Sequence, residues 1–359
     1  QPDREVVRRG PNMIAAFDEE GNPTRPAEGF ARSCGVAVAE LDQLETPKGS
    51  FLAYRAVETG KPAGDVIPGL VEQALKGLPV PKRMRWGDSD VEFVRPVHWV
   101  MLLHGTESLP AEILGVHADR YTRGHRFHCN EPIAVSEPAA YIDTLRDTGR
   151  VLADMDARRD TIHDAVQAAG RALGGTAHIE DELLEEVTAL VEWPVVISGG
   201  FDRRFLDVPP EALVSSMQDH QKFFPVMDAD GRLLPHFITV ANIESHEPDQ
   251  VRAGNERVIR PRLEDAAFFW NQDRKRSLAS RTEELDQVTF QQKLGSLGDK
   301  QKRIARISAD IAAAAGGDTG HAQRAAAICK CDLLTSMVYE FPELQGIMGR
   351  YYAGHDGED

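Results

Sequence analysis

Apolar residues in this chain come in short runs whose spacing switches between the two-residue period of a strand and the 3.6-residue period of a helix. SFLAYRAVETG, starting at Ser50, alternates as a strand and ends in a turn at Gly60. DVIPGLVEQALKGLP, starting at Asp65, has helical spacing and stops at Gly77 and Pro79. VEFVRPVHWVMLLHG, from Val91 to Gly105, is apolar and β-branched, which predicts one or two strands with Pro96 at a break or an edge. EILGVHADRYTRGHRFH then predicts a strand followed by a basic, histidine-rich loop.

Beyond about Ala139 the pattern becomes helical and charged. ADMDARRDTIHDAVQAAGRALGG sets Ile162, Ala165, Val166 and Ala169 on one narrow face and ends at paired glycines, as an arm or linker helix would. DELLEEVTALVEW predicts a second helix and PVVISGGF a strand closed by Gly199-Gly200. VPPEALVSSMQDH starts with proline at a favoured first helical position and Glu211 in the first turn. KFFPVMDADGRLLPHFITVANI reads as strand, Asp-Gly turn, strand. In GNERVIRPRLEDAAFFWNQDRKRSL, Pro261 can open a helix that packs Leu263, Ala266, Ala267 and Trp270 inward, with Arg274, Lys275 and Arg276 crowding its end. From about Thr289 the pattern is nearly all helical.

These elements predict an α+β fold, with helices and antiparallel hairpins mixed in the N-terminal two-thirds and an all-helical region after them. The boundaries expected are an α+β part over 1–138, a helical arm over 139–180, a second α+β part over 181–285 and helices over 286–359.

Charge narrows the function classes. A net charge of −16 over 359 residues argues against a uniformly basic nucleic-acid binder. The charge is uneven, however: residues 257–281 hold seven Arg or Lys against three Asp or Glu, and KLGSLGDKQKRIAR adds a second basic block. Such runs are read either as solvated helix faces or as a local phosphate-binding surface. Four scattered cysteines (Cys34, Cys129, Cys329, Cys331) make no disulfide framework or zinc set, which leads us to expect a reducing cytoplasm; no apolar run reaches membrane-span length.

Several chemistries lack their motifs. Gly60-Lys61 runs into Pro62 and forms no P-loop, His246-Glu247 runs into Pro248 and forms no helical HExxH, and no G-x-S-x-G elbow occurs. Asp219 and His220 are neighbours whose side chains diverge, so His220 serves either as a junction residue or with a partner from elsewhere, while Phe223 and Phe224 fill the core. His355-Asp356 suggests the helical HD-type phosphohydrolases, whose histidines and aspartates hold a divalent metal. His321 could supply a first ligand, but Lys330-Cys331-Asp332 stands where a His-Asp pair is expected, a degenerate set (His321, Asp332, His355, Asp356) that predicts no intact metal centre.

SMQDHQKFFPV, ANIES, GNERVIRPRLEDAAFFWNQDRK, FQQKLGSLGDK and CDLLTSMVYEFPELQGIMGRYYAGHDGE, in this order, resemble the β subunit of bacterial glycyl-tRNA synthetase. RGPNMIAAFDEEGNPTRPAEGFAR, PKRMRWGDSDVEFVRPVHWVMLLHG, GHRFH and LLEEVTALVEWPVV extend the resemblance to nearly the whole chain. It implies a central fragment of a longer subunit, lacking the extreme N-terminus, the rest of an HD-like helical domain and a C-terminal anticodon-binding region. The implied partners are the α subunit, a second β subunit in an α2β2 complex, and tRNA(Gly). The implied role is to bind and position tRNA in a ligase whose ATP- and Mg-dependent adenylation site lies on the α subunit, with no cofactor and no catalytic residue on this chain. The alternatives are the HD-type phosphohydrolase and a scaffold without activity of its own. The basic surface expected to meet RNA is Arg257, Arg260, Arg262, Arg274, Lys275 and Arg276, followed by Arg123, His125 and Arg126 in the glycine-bounded loop.

Overall fold

A computed structural model describes residues 2–358. The chain divides into two compact units: residues up to Thr122 with Pro132–Tyr141, and Arg123–Glu131 with everything from Ile142.

In the first unit, β1 (Arg4–Asn12), β2 (Asp42–Thr46) and β3 (Gly49–Glu58) form an antiparallel sheet with β3 in the centre. The alternation read from Ser50 is this central strand. Leu52 meets Ala16 and Ala27 in a small core, and Phe30 of α1 (Arg25–Cys34) packs so closely on Gly10 that a side chain there would strike its ring. The helix α2 (Ala63–Gly77) forms as its spacing predicts, with Pro68 inside its first turns. VEFVRPVHWVMLLHG yields only two-residue strands, Glu92–Phe93, Val100–Met101 and Leu103–His104, with Pro96 in the break.

The second unit is built on a four-stranded antiparallel sheet. Its members are β4 (Thr176–Ala177), β5 (Val195–Gly200), β6 (Phe224–Met227) and β7 (Leu233–Ala241), in the order β4-β6-β7-β5. The hairpin between β6 and β7 turns at Gly231, which holds a φ of 76°, and Asp228 accepts the backbone N–H groups of Asp230 and Arg232. Those bonds hold the Asp228 carboxyl below the usual carboxylate range.

Side-chain alternation along β7 gives the sheet two faces. Ile238, with Phe224 and Val226 of β6, meets α3 (Met155–Ala172) and α4 (Asp181–Leu190) through Ile162, Val166, Leu184 and Val187. The narrow stripe of α3 is therefore core. Leu233 and Phe237 face the other way, onto α5 (Pro210–Gln221) and α6 (Pro248–Asp273), with Phe237 stacked on Phe223 at 4.5 Å.

The helix expected to open at Pro261 opens at Pro248 and runs through Pro261. An internal proline removes one backbone bond and crowds the preceding turn, a cost of about 3 kcal/mol. Ile259, Leu263, Ala266 and Trp270 are buried along one face on both sides of the proline, and that burial outweighs the cost. The expectation of near-continuous helix after Thr289 also needs amending: Thr289–Gln291 and Gly295–Ser296 form a small hairpin first. Helices α7 (Leu297–Ala315), α8 (Thr319–Ile328), α9 (Ser336–Glu340) and α10 (Ile347–Asp356) follow. Ile328, Met337, Phe341, Met348 and Tyr352 of this region share one core with α5 and α6. Among the described residues no helix is long and apolar enough to cross a membrane.

Candidate nucleic-acid interface

Because Ile259, Leu263, Ala266 and Trp270 point inward, helical spacing turns Arg257, Arg260, Glu264, Phe268 and Asn271 outward on α6. Arg262 is exposed on the flank. Arg257, Arg260 and Arg262 make no ion pair or side-chain hydrogen bond among the described residues. Glu264, the acidic member of the row, pairs with Arg204 at 3.1 Å. The exposed side of α6 therefore carries three arginines without a carboxylate partner among the described residues, together with the exposed Asp265 and Phe268.

The three basic residues after α6 are not equivalent. Arg274 lies over the Trp270 ring, 4.5 Å from its centroid, and donates to Asn271. Arg276 pairs with Glu284. Lys275 is exposed, and among the described residues its ammonium is held only by the Gln272 amide oxygen. Two of the three positive charges thus have structural partners, and Lys275 is the one that extends the outward surface.

Just inside this corner lies a buried polar knot. Asp273, 4% exposed, accepts the backbone N–H groups of Ser336 and Met337, both at 2.9 Å, and the Tyr352 hydroxyl at 3.0 Å. Arg281 stands 4.0 Å from the same carboxylate and donates to the carbonyls of Asp273, Arg276 and Ser277. Burial and the neighbouring Asp273 charge push the Tyr352 phenol far above the ordinary tyrosine value. The knot ties the end of α6 to α9 and α10, so it sets where the basic corner stands.

The glycine-bounded loop has a different construction. His125 is 1% exposed, its Nε2 donates to the Asn242 carbonyl at 2.7 Å, and its Nδ1 accepts the Phe127 N–H at 3.3 Å. It is an anchor with no surface to offer a ligand. His128 accepts the Glu244 N–H at 3.0 Å, and Arg123 donates to the Asn130 carbonyl. Gly124 passes so close to Gly149 that a Cβ would lie 2.6 Å from its carbonyl oxygen. The groups left outward are Arg123, whose guanidinium is only partly used by Asn130, Arg126, and Phe127, a residue absent from the sequence-based set. The cue was available in the sequence: an aromatic residue beside an arginine in a basic loop.

The four HD-type candidates do not form a ligand set. Asp332 is fully buried, and its Oδ2 accepts the N–H groups of Gly346 and Gly349 at 2.5 and 3.2 Å, while its Oδ1 has no protein partner. Asp356 caps the Leu278 N–H at 2.6 Å. His321 sits at the exposed start of α8 beside Asp318, and His355 is exposed on α10. No three His, Cys, Asp or Glu side chains stand together as a metal site among the described residues. A cleft of about 410 Å³ nearby is lined by His321, Arg324, Cys329, Gly346 and Arg350, with Arg324 tied to Glu358 and burial raising the Cys329 thiol pKa. Asp332 serves as a backbone clamp. Asp332→Ala should cost about 1–3 kcal/mol by leaving the two N–H groups without their acceptor, read as a lowered urea midpoint.

His220 of α5 is exposed, lies edge-on to Phe341, and forms no dyad with Asp219, which accepts from Ser215 instead. Lys222 closes α5 in the left-handed region and pairs with Glu186, so the junction is a joint above the buried Phe223 and Phe224.

The chain matches the family described as glycyl-tRNA synthetase beta subunit over residues 1–359. It is 56% identical over 358 residues to the glycine–tRNA ligase beta subunit of Chromohalobacter salexigens and 54% identical over 359 residues to that of Marinobacter nauticus. It is 53% identical over 358 residues to that of Hahella chejuensis. All of this chain is covered in each comparison, against 52% of each relative, so the chain spans about half the length of the curated relatives it matches. On a full-length family match and identities above one half, the chain belongs to the glycyl-tRNA synthetase beta subunit family.

Proposed function

We propose that this chain is the part of a glycyl-tRNA synthetase β subunit that binds and positions tRNA(Gly) for glycylation at the α subunit. The observation that carries this reading is the match of all 359 residues to the β-subunit family. The outward arginines of α6, with Lys275 at its end, give the reading a physical surface: phosphates are bound by local positive potential, whatever the net charge of the chain. In this reading the partners are the α subunit and a second β subunit in an α2β2 complex, in the cytoplasm. ATP and Mg²⁺ act at the α subunit, and this chain contributes tRNA contacts without a catalytic residue of its own.

The test is a titration of the complete β subunit with tRNA(Gly), alone and with the α subunit, across a salt series, together with glycylation by the mixed subunits. The expected result is tRNA binding that weakens as salt rises and glycylation only when both subunits are present. Absence of tRNA binding by the mixed subunits at every salt concentration overturns the reading.

A further inference from the structure

Three sequence blocks far apart in the chain meet at Asn242. Its backbone carbonyl accepts from His125 in the Gly124–His128 loop, and its side-chain Oδ1 accepts the N–H groups of Glu192 and Trp193 at 2.8 and 2.9 Å. Two residues beyond Asn242 in the chain, the Glu244 N–H donates to His128. The His125 N–H in turn donates to the Gly149 carbonyl at 2.7 Å, and the following Arg150 lies over the Trp193 ring, 5.2 Å from its centroid. One asparagine therefore organises two arginine–aromatic pairs, Arg150–Trp193 and Arg126–Phe127, the latter at 5.4 Å.

An isolated exposed phenylalanine is ordinary on a protein surface. Phe127 differs in its setting. It is 66% exposed, yet His125 and His128, which bracket the Arg126-Phe127 pair, are held by hydrogen bonds to Asn242 and Glu244, and its own N–H is bonded to His125. The loop is thus ordered before any partner arrives, and a ligand that covers the ring pays little to order it.

We propose that Phe127, with the Arg126 guanidinium over one side of its ring, is a stacking platform for an unpaired base of the bound RNA. Proteins read single-stranded RNA by stacking splayed bases on aromatic rings and arginine planes, and the arrangement here supplies both on a preset loop. Glu192 and Glu244 stand on the same framework as Arg123, Arg126 and Arg150, so charge is partly offset there and the exposed ring is what the site adds. The proposal rests on the tRNA-binding reading above and adds to it the residue that holds a base.

The experiment uses the complete β subunit with the α subunit and tRNA(Gly), comparing Phe127→Ala, Phe127→Leu and Phe127→Tyr at three salt concentrations. Alanine should weaken binding by about five- to a hundredfold, the range for one stacked base, with the slope of log affinity against log salt unchanged. Tyrosine, which keeps the ring, should bind as the parent does, and leucine, which keeps apolar area without a π face, should behave like alanine. Equal affinity of all variants overturns the platform while leaving the tRNA-binding reading intact. Rescue by leucine overturns it in favour of an apolar protein contact. Failure of the parent protein to bind tRNA overturns both. Phe127→Tyr and Phe127→Leu with unfolding midpoints equal to the parent's keep the comparison decisive should the alanine variant fold poorly.

Discussion

Replacing Asp273 with alanine is expected to lower stability by about 3–5 kcal/mol, the range for removing one partner of a buried charged cluster. The carboxylate holds two backbone N–H groups and the Tyr352 hydroxyl, and it faces Arg281, which is 5% exposed. Its loss leaves a buried guanidinium without its counter-charge and the start of α9 without an acceptor. Urea denaturation of the second unit checks the size. A pH series reads the same knot, since burial and then the Asp273 charge raise the folded-state pKa of Tyr352, and the folded form holds its proton longer than the unfolded chain does. That contribution is fully present below the unfolded tyrosine value of about 10 and is lost as pH rises above it. Tyr352→Phe should abolish this part of the alkaline loss. The phenol of Tyr351, which donates to Glu211 and is also raised, makes a smaller loss that remains in that variant.

The second large effect concerns RNA. Replacing Arg257, Arg260 and Lys275 together by glutamate should reduce tRNA affinity by about ten- to a thousandfold near 0.1 M salt. The salt dependence should become shallower by about 0.7–0.9 for each phosphate that is no longer neutralised. These side chains lie outward and none pairs with a carboxylate, so thermal stability should change little. The same reversal at Arg274 and Arg276 should destabilise the protein as well, because it removes the stack on Trp270 and the pair with Glu284. Unchanged affinity in the folded outward triple variant would remove α6 as the RNA surface. It would leave the loop around Phe127 as the remaining candidate.

Much of the architecture was legible in local pattern. The alternation from Ser50 became β3, the helix from Asp65 became α2, and KFFPVMDADGRLLPHFITVANI became the β6–β7 hairpin turning at its Asp-Gly. These succeed because periodicity and turn chemistry are properties of neighbouring residues. The misreading at Pro261 has the opposite origin. Proline's local preference is to open a helix, but the buried row from Ile259 to Trp270 continues across it, and burial is a property of what packs against the row. The candidate site divides the same way. Net positive charge on residues 257–281 is visible in the sequence, and Arg274 over Trp270 is a local pair four residues apart; that Arg276 is held by Glu284 depends on how the chain turns after the helix.

Two kinds of information separate cleanly here. Order and composition of the motifs are enough to place the chain in its family, and hydrophobic period is enough to assign most helices and strands, since both survive without any long-range contact. Which charged and histidine side chains remain free was settled by distant partners. His125 and Asn242 are 117 positions apart, and Asp273 and Tyr352 are 79 apart. A side chain's availability depends on whether another group satisfies it in the folded protein, and only three-dimensional packing brings such groups within hydrogen-bonding reach.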